Sequence, residues 1–196
     1  MSGEPTSAAE PPDAAALARA GWSDAELTWE HVQEAAAEAL AGGGWDTAAS
    51  LWRTALTLAR ETFEPGDPRL AASLANQAVA ARHGGDGEAA TALFDEARAV
   101  WEACGPWVAA LAPERRSRSS LFHLRLERKH PGGYDHHSRG RYEALAEEGR
   151  EVTEGLAAGS AEPRGALARW RTERPAGYSD GRKLLAAVLL LADPPA

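Results

Sequence analysis

Four histidines lie close together in the C-terminal half of the chain, and they are the residues best suited to chemistry: His123, His130, His136 and His137. Imidazole groups bind metal ions and transfer protons near neutral pH. A metal site, however, needs several ligands that converge on one ion in a fixed geometry. Two adjacent histidines in a turn rarely face the same ion, so we expect a solvated, partly basic face here and no bound metal.

Cys104 is the only cysteine, which excludes a disulfide within the chain and is typical of a reducing compartment. It lies at the predicted end of a helix, where the helix dipole disfavours a thiolate, so we interpret it as a small buried side chain. The glycine runs 42–44 and 84–87 lack the Gly-Lys-Ser/Thr ending of phosphate-binding loops. No Ser/His/Asp order, paired-carboxylate motif or dinucleotide fingerprint is present. We therefore predict no catalytic residue and no cofactor.

Charge is distributed unevenly along this acidic chain, whose net charge is −8. Residues 1–64 contain eleven acidic and three basic residues, whereas residues 113–141 contain eight basic and three acidic ones. An acidic chain is not typical of a nucleic-acid-binding protein, so we expect no nucleic-acid partner. We define the basic island as Arg115, Arg116, Arg118, Arg125, Arg128 and Lys129. It is either a solvated face, an intramolecular partner of the acidic first helix, or a docking patch for an acidic partner.

The N-terminal segment and the most apolar run bear on targeting. The first residues lack the basic and apolar regions of a secretory signal, and residues 1–12 are expected to form a disordered tail. The run 184–192 has nine residues, about half the length that a membrane span needs. These features predict a soluble, cytoplasmic protein without a membrane partner.

Helical periodicity dominates residues 23–104. Ser23 and Glu26 have the spacing of a capping box, and Asp67 followed by Pro68 is typical of a helix start. Apolar residues between the glycine turns recur at helical spacing. One pattern of small and aromatic residues repeats after 42 positions: Ala48, Trp52 and Ala55 match Ala90, Phe94 and Ala97. A helix pair that recurs at a fixed distance is typical of a helical array.

This repeat resembles a known family. The pattern Gly44-Trp45-x-x-Ala48-x-x-x-Trp52-x-x-Ala55 is similar to the second-helix signature of the tetratricopeptide repeat. The stretch Leu74-Ala75-Asn76-Gln77-Ala78 resembles the first-helix opening of the kinesin-light-chain-like branch, with departures at three positions. The resemblance covers residues 24–104 and implies an all-α superhelix, with one hairpin over 24–64 and another over 67–104.

Beyond residue 105 the repeat pattern weakens. Residues 106–159 are expected to form a degenerate third hairpin, so that 13–159 make one helical repeat domain. The alternating stretch 121–126 is interpreted as helix, since a lone strand would have nothing to pair with. Residues 160–196 are expected to form capping helices over 164–174 and 179–191. The second of these is apolar on most of its surface, so we expect it to be buried against the final repeat.

The resemblance also implies a binding surface. In tetratricopeptide-like arrays the first helices of successive pairs line a concave groove, and the alignment places five residues toward it: Glu30, Gln33, Glu34, Asn76 and Arg82. Asn76 matches the family asparagine that often hydrogen-bonds an extended peptide backbone; a hydrogen bond between helices is the alternative. The Lys/Asn pattern that clamps a chain-terminal carboxylate in some relatives is not visible.

Together these features predict a non-catalytic adaptor or assembly factor that binds a protein or peptide partner. Arg115, Arg116 and Arg118 of the basic island are expected to contact that partner at the rim. Two alternatives stay open. One is a regulatory or accessory subunit of an enzyme complex, and the other is an unrecognised enzyme that uses the histidine-rich segment 123–137.

Overall fold

The computed structural model describes residues 22–112, 133–173 and 180–194, with side chains of the second range described from residue 138 onward. These ranges contain eight helices and no strand, so the predicted all-α class is confirmed for them. In chain order the helices are α1 Asp24–Ala41, α2 Trp45–Thr62, α3 Pro68–His83, α4 Gly87–Ala103, α5 Gly105–Ala110, α6 Gly133–Ala158, α7 Ala166–Glu173 and α8 Asp180–Leu189. The tail 1–12, the stretch 121–126 and the basic island lie outside the described residues.

The predicted helix starts are confirmed by their capping bonds. The Ser23 hydroxyl accepts a hydrogen bond from the Glu26 amide at 3.2 Å, and the Ser23 amide donates to the Glu26 carboxylate at 2.9 Å. At the start of α3, the Asp67 carboxylate accepts from the Arg69 amide at 2.9 Å, and Pro68 is the first helical residue. Both caps satisfy amides that have no partner inside the helix.

Helices α1 to α4 pack as two hairpins. Helix α1 lies against α2 and α3 lies against α4, while α2 packs on α3 and joins the two pairs. The turns within the pairs are short, which requires each pair to run antiparallel. Gly43 and Gly85 occupy these turns with φ of 78° and 86°, where a Cβ would be strained. Small side chains between the helices allow close packing around buried aromatic rings such as Trp52 and Phe94.

Ala48 and Ala90, at equivalent positions of the repeat, are both buried, with 0% and 3% of their surfaces exposed. We expect Ala90→Leu to lower the free energy of unfolding by ~1–3 kcal/mol, because a larger side chain overpacks a tight helix contact. Urea denaturation followed by circular dichroism measures the change. The control is Ala92→Leu, at an exposed position of the same helix. Equal stability of the two variants would contradict the equivalence of the repeats.

Helix α6 is the longest element and covers the second hairpin. It begins at Gly133, so His136 and His137, which we expected in a turn, lie in a helix. Gly149 passes directly beneath the Trp101 ring, where an added Cβ would lie only 2.7 Å from Cζ2. The Trp101 indole donates to the Thr153 hydroxyl at 2.9 Å and fixes the two helices in register. Helix α6 also contacts α5, and the two occupy the part of the chain expected to form a third hairpin.

The C-terminal helices begin and end close to the predicted bounds. Helix α8 is followed by residues 190–194 without helical structure, and residues 184–192 are all buried, as predicted for this apolar run. Helix α8 packs against α6, and it also packs against α3 and α7. It therefore lies on α3, the helix that carries Asn76. We call residues 180–194 the C-terminal segment.

A candidate binding groove filled by the C-terminal segment

Polar side chains form the floor of the surface that the resemblance assigned to ligand binding. Glu30 and Gln33 lie on α1, and Ser73 and Asn76 lie on α3. Glu30 is 6% exposed and the other three are fully buried. Burying polar groups costs free energy unless each one finds a partner. The hydrogen-bond partners of these four side chains therefore show which part of the chain binds to this surface.

Asn76 binds the main chain of the C-terminal segment with both ends of its amide. Its Nδ2 donates to the Leu190 carbonyl at 2.8 Å, and its Oδ1 accepts from the Ala192 amide at 2.6 Å. The same Nδ2 also donates to Gln33 Oε1 on α1 at 3.0 Å. Asn76 thus makes the hydrogen bond between helices that was the alternative interpretation, and it also holds the main chain of the C-terminal segment. Its contact with a partner peptide stays a prediction.

At one end of the segment, basic side chains meet acidic ones of α1. The Arg182 guanidinium donates to both carboxylate oxygens of Glu30, with Nε at 2.9 Å from Oε2. The Lys183 ammonium lies 2.7 Å from Glu26 Oε1, which also accepts from Arg69 at 3.0 Å. Paired, hydrogen-bonded charges of this kind are the form in which ions are buried in proteins. We call Glu26 and Glu30 the acidic end of the groove.

At the opposite end, the segment presents a carboxylate. Asp193 accepts hydrogen bonds from the amides of Arg164 and Ala166, each at 2.7 Å, and so caps the start of α7. The Arg164 guanidinium donates to the carbonyls of Leu191 and Ala192 at 3.3 Å. Burial lowers the pKa of Arg164, while Asp193 and Glu148 act in the opposite direction. We call Arg164 and the start of α7 the basic end of the groove.

The structure brings together three of the predicted site residues: Glu30, Gln33 and Asn76. Glu34 is half-buried on α1. Arg82 is exposed and lies apart from them, where its guanidinium donates to the Ala157 carbonyl of α6 at 3.3 Å and lies over the Phe94 ring. Arg115, Arg116 and Arg118 lie outside the described residues. The contact of all these residues with a partner stays a prediction.

Six residues of the groove and its occupant were not predicted as site residues: Glu26, Ser73, Arg164, Arg182, Lys183 and Asp193. Ser73 accepts from the Trp29 indole at 2.8 Å and from the Gln33 amide at 3.3 Å, and so joins α1 to α3. A weak signal for Arg182 and Asp193 exists, since they flank the apolar run on its two sides. Nothing local marks Arg164 or Ser73, because their partners are distant in the sequence.

A cavity of about 420 Å³ opens beside the acidic end of the groove, where α1, the turn before α3, α5 and α8 meet. Phe63 and Trp107 form its aromatic wall, and Arg69 lies between them, 3.9 Å and 5.9 Å from the two ring centroids. Glu26 and Lys183 line it as well. Because Glu26, Asp67, Arg69 and Lys183 already pair with one another, the cavity is best described as the open edge of the acidic end.

Glu26 makes the stability of this end depend on pH. Burial opposes ionisation, but hydrogen bonds from Lys183, the Ser23 amide and Arg69 together hold the pKa of Glu26 below 4.5. A lowered folded-state pKa stabilises the fold above the unfolded pKa, and this stabilisation is lost as pH falls through the folded value. We expect Glu26→Gln to reduce the pH dependence of unfolding below about pH 4.5. Urea denaturation across that pH range measures the free energy of unfolding. Glu61→Gln, at an exposed position of α2, is the control for the loss of one charge. If the two variants lost stability equally as the pH falls, the role given to Glu26 would be contradicted.

Cys104 and the histidines are the other candidates for chemistry. Burial raises the pKa of the Cys104 thiol, which favours the unreactive protonated form. In the described part of the chain no three His, Cys, Asp or Glu side chains are placed to hold a metal ion. The side chains of His123, His130, His136 and His137 are not among those described, so the predicted lack of a metal stays a prediction.

Among the described helices, none combines the length and apolar character needed to cross a bilayer.

Comparison of the chain with models of protein families, with curated proteins and with solved structures finds no match. The tetratricopeptide-like assignment therefore rests on the residue patterns given above.

Proposed function

We propose that the chain is a non-catalytic adaptor or assembly factor with tetratricopeptide-like hairpins, which binds a protein partner through a segment laid across α1 and α3. The observation that carries this proposal is the contact of Asn76 with residues 190–192. One side-chain amide donates to a carbonyl and accepts from an amide two residues later. Such a contact binds main-chain groups whatever side chains the segment bears.

The remaining groove contacts support the same proposal. A helix with an aliphatic face lies in the groove, and charged groups at both ends fix its direction and register, a known mode of peptide recognition. Helix α8 and residues 190–194 occupy the position that a partner segment would take. The basic island is proposed to contact acidic groups of the partner outside the groove.

In a chain that also carries Asp193→Ala, which weakens the hold of the C-terminal segment on the groove, Asn76→Ala is expected to weaken partner binding about 5- to 150-fold, the effect of leaving buried backbone groups unpaired. Immobilised full-length chain would capture partners from a lysate of its source, and titration calorimetry with the purified partner would measure affinity. The matched control is Gln77→Ala on the same helix, since Gln77 makes no groove contact that the structure describes. Circular dichroism first establishes that both variants keep their helices.

If Asn76→Ala keeps the helices and leaves partner affinity equal to that of the Asp193→Ala chain, the partner binds on the convex face or on the C-terminal helices. A chain that captures no protein at all would contradict the adaptor proposal itself.

A further inference from the structure

The contacts of the C-terminal segment follow a fixed order along the chain. Two cations, Arg182 and Lys183, meet the acidic end, and the aliphatic side chains of residues 184–189 then lie on α3 and α6. The backbone of 190–192 is held by Asn76, and Asp193 reaches the basic end. Eleven positions separate Arg182 from Asp193. The groove thus specifies both the chemistry of its occupant and its direction.

The C-terminal segment makes more buried hydrogen bonds and ion pairs than a helix needs in order to pack in a core. Buried ion pairs contribute less stability than well-packed apolar residues of similar volume, because the charges must lose their hydration. Buried polar groups do, however, exclude occupants that fail to satisfy them, and so they contribute specificity. Glu30, Gln33 and Asn76 form a floor on which an unmatched helix would leave charges and amides unpaired.

The hairpins also have contacts of their own that do not involve the C-terminal segment. Helices α1 to α4 pack successively on one another, and the buried stripe of α2, which includes Ala48, Trp52 and Ala55, lies between α1 and α3. The C-terminal segment packs on this set of helices through α3, and its apolar residues join the same buried core. Because α1 to α4 also contact one another directly, we expect the hairpins to persist when the segment leaves.

We propose that the C-terminal segment is an internal competitor, which a partner segment of the same pattern replaces. That pattern is a pair of basic residues, a short aliphatic helix, about three residues after the helix ends, and an acidic side chain. The proposal rests on the proposed function and adds to it the chemistry of the partner and a device that keeps the groove filled without one.

The test uses the full-length chain and a fluorescently labelled synthetic peptide with the sequence of residues 180–194. Wild type is expected to bind the peptide weakly, because the internal copy competes at an effective concentration of about millimolar. Asp193→Ala weakens the internal copy without altering α1 or α3, so peptide affinity should rise about tenfold or more as the open fraction increases. The matched control is Glu162→Ala, which removes an exposed carboxylate from the stretch before α7 and should leave the affinity unchanged.

Peptide specificity provides the second arm. A peptide with the change Arg182→Glu should not bind the Asp193→Ala chain, since it places two carboxylates together at the acidic end. Hydrogen exchange on the same variant reports whether residues 190–194 have been released.

Two results would overturn the proposal. In one, Asp193→Ala releases the segment but gains no affinity for the peptide; in the other, Asp193→Ala unfolds the whole chain in one step, which would make the segment an inseparable part of the core. If either result is found and the wild-type chain still binds a captured partner, the proposed function stands and only the internal competitor is contradicted.

Discussion

Asn76→Ala is expected to lower the free energy of unfolding by ~2–5 kcal/mol. The substitution leaves the Leu190 carbonyl and the Ala192 amide without their buried partner, and each such group costs about 1–3 kcal/mol. It also removes the link from α3 to Gln33 of α1. Urea denaturation monitored by circular dichroism measures the total loss, and tryptophan fluorescence provides an independent probe of the same transition.

The matched control for this prediction is Gln77→Ala. The Gln77 side-chain oxygen is buried and finds no hydrogen-bond partner among the described residues. Its removal should therefore change stability by less than ~1 kcal/mol. If Asn76→Ala were as stable as Gln77→Ala, the amide of Asn76 would not hold the C-terminal segment in solution.

Breaking the Glu30–Arg182 pair should have an effect of similar size. Its side chains are only 8% and 5% exposed, and removing one partner of a buried pair strands an uncompensated charge, which costs about 3–5 kcal/mol. We therefore expect Glu30→Leu and Arg182→Leu each to destabilise strongly. The double variant should recover most of the loss, because the Arg182 site lies between the rings of Trp22 and Trp170 and suits an aliphatic side chain.

A second ion pair provides the control cycle. Glu38 of α1 and Arg171 of α7 also connect the hairpins to the C-terminal helices, but their side chains are 51% and 56% exposed. Exposed pairs contribute about 0–1 kcal/mol, so the coupling energy there should be small. Equal coupling in the two cycles, or strict additivity of the Glu30 and Arg182 changes, would contradict the role given to the buried pair.

Much of the hairpin region could be predicted from the sequence because its determinants are local. The Ser23 cap acts on an amide three residues away, and the Asp67 cap on one two residues away. The buried stripe of Ala48, Trp52 and Ala55 follows directly from helical periodicity. Such features depend on short stretches of chain, so they can be predicted without knowledge of the tertiary structure.

The position of the C-terminal segment could not be predicted in the same way. Its burial follows from the apolar run, but its place depends on contacts between residues far apart: 114 positions separate Asn76 from Leu190, and 152 separate Glu30 from Arg182. Helical periodicity states which face is apolar and does not state which surface covers it. The same reasoning explains why Asn76 was recognised by its resemblance, whereas Asp193 and Arg164 were not recognised at all.

Hydrogen exchange of residues 180–194 in the full-length chain, measured alone and then saturated with a captured partner, tests the central claim most directly. We predict that the amides of Leu190 to Ala192 are protected in the free chain and exchange faster once the partner occupies the groove, while α1 to α4 stay protected. Unchanged or increased protection of the C-terminal segment in the complex would contradict the claim that the partner binds where the segment lies.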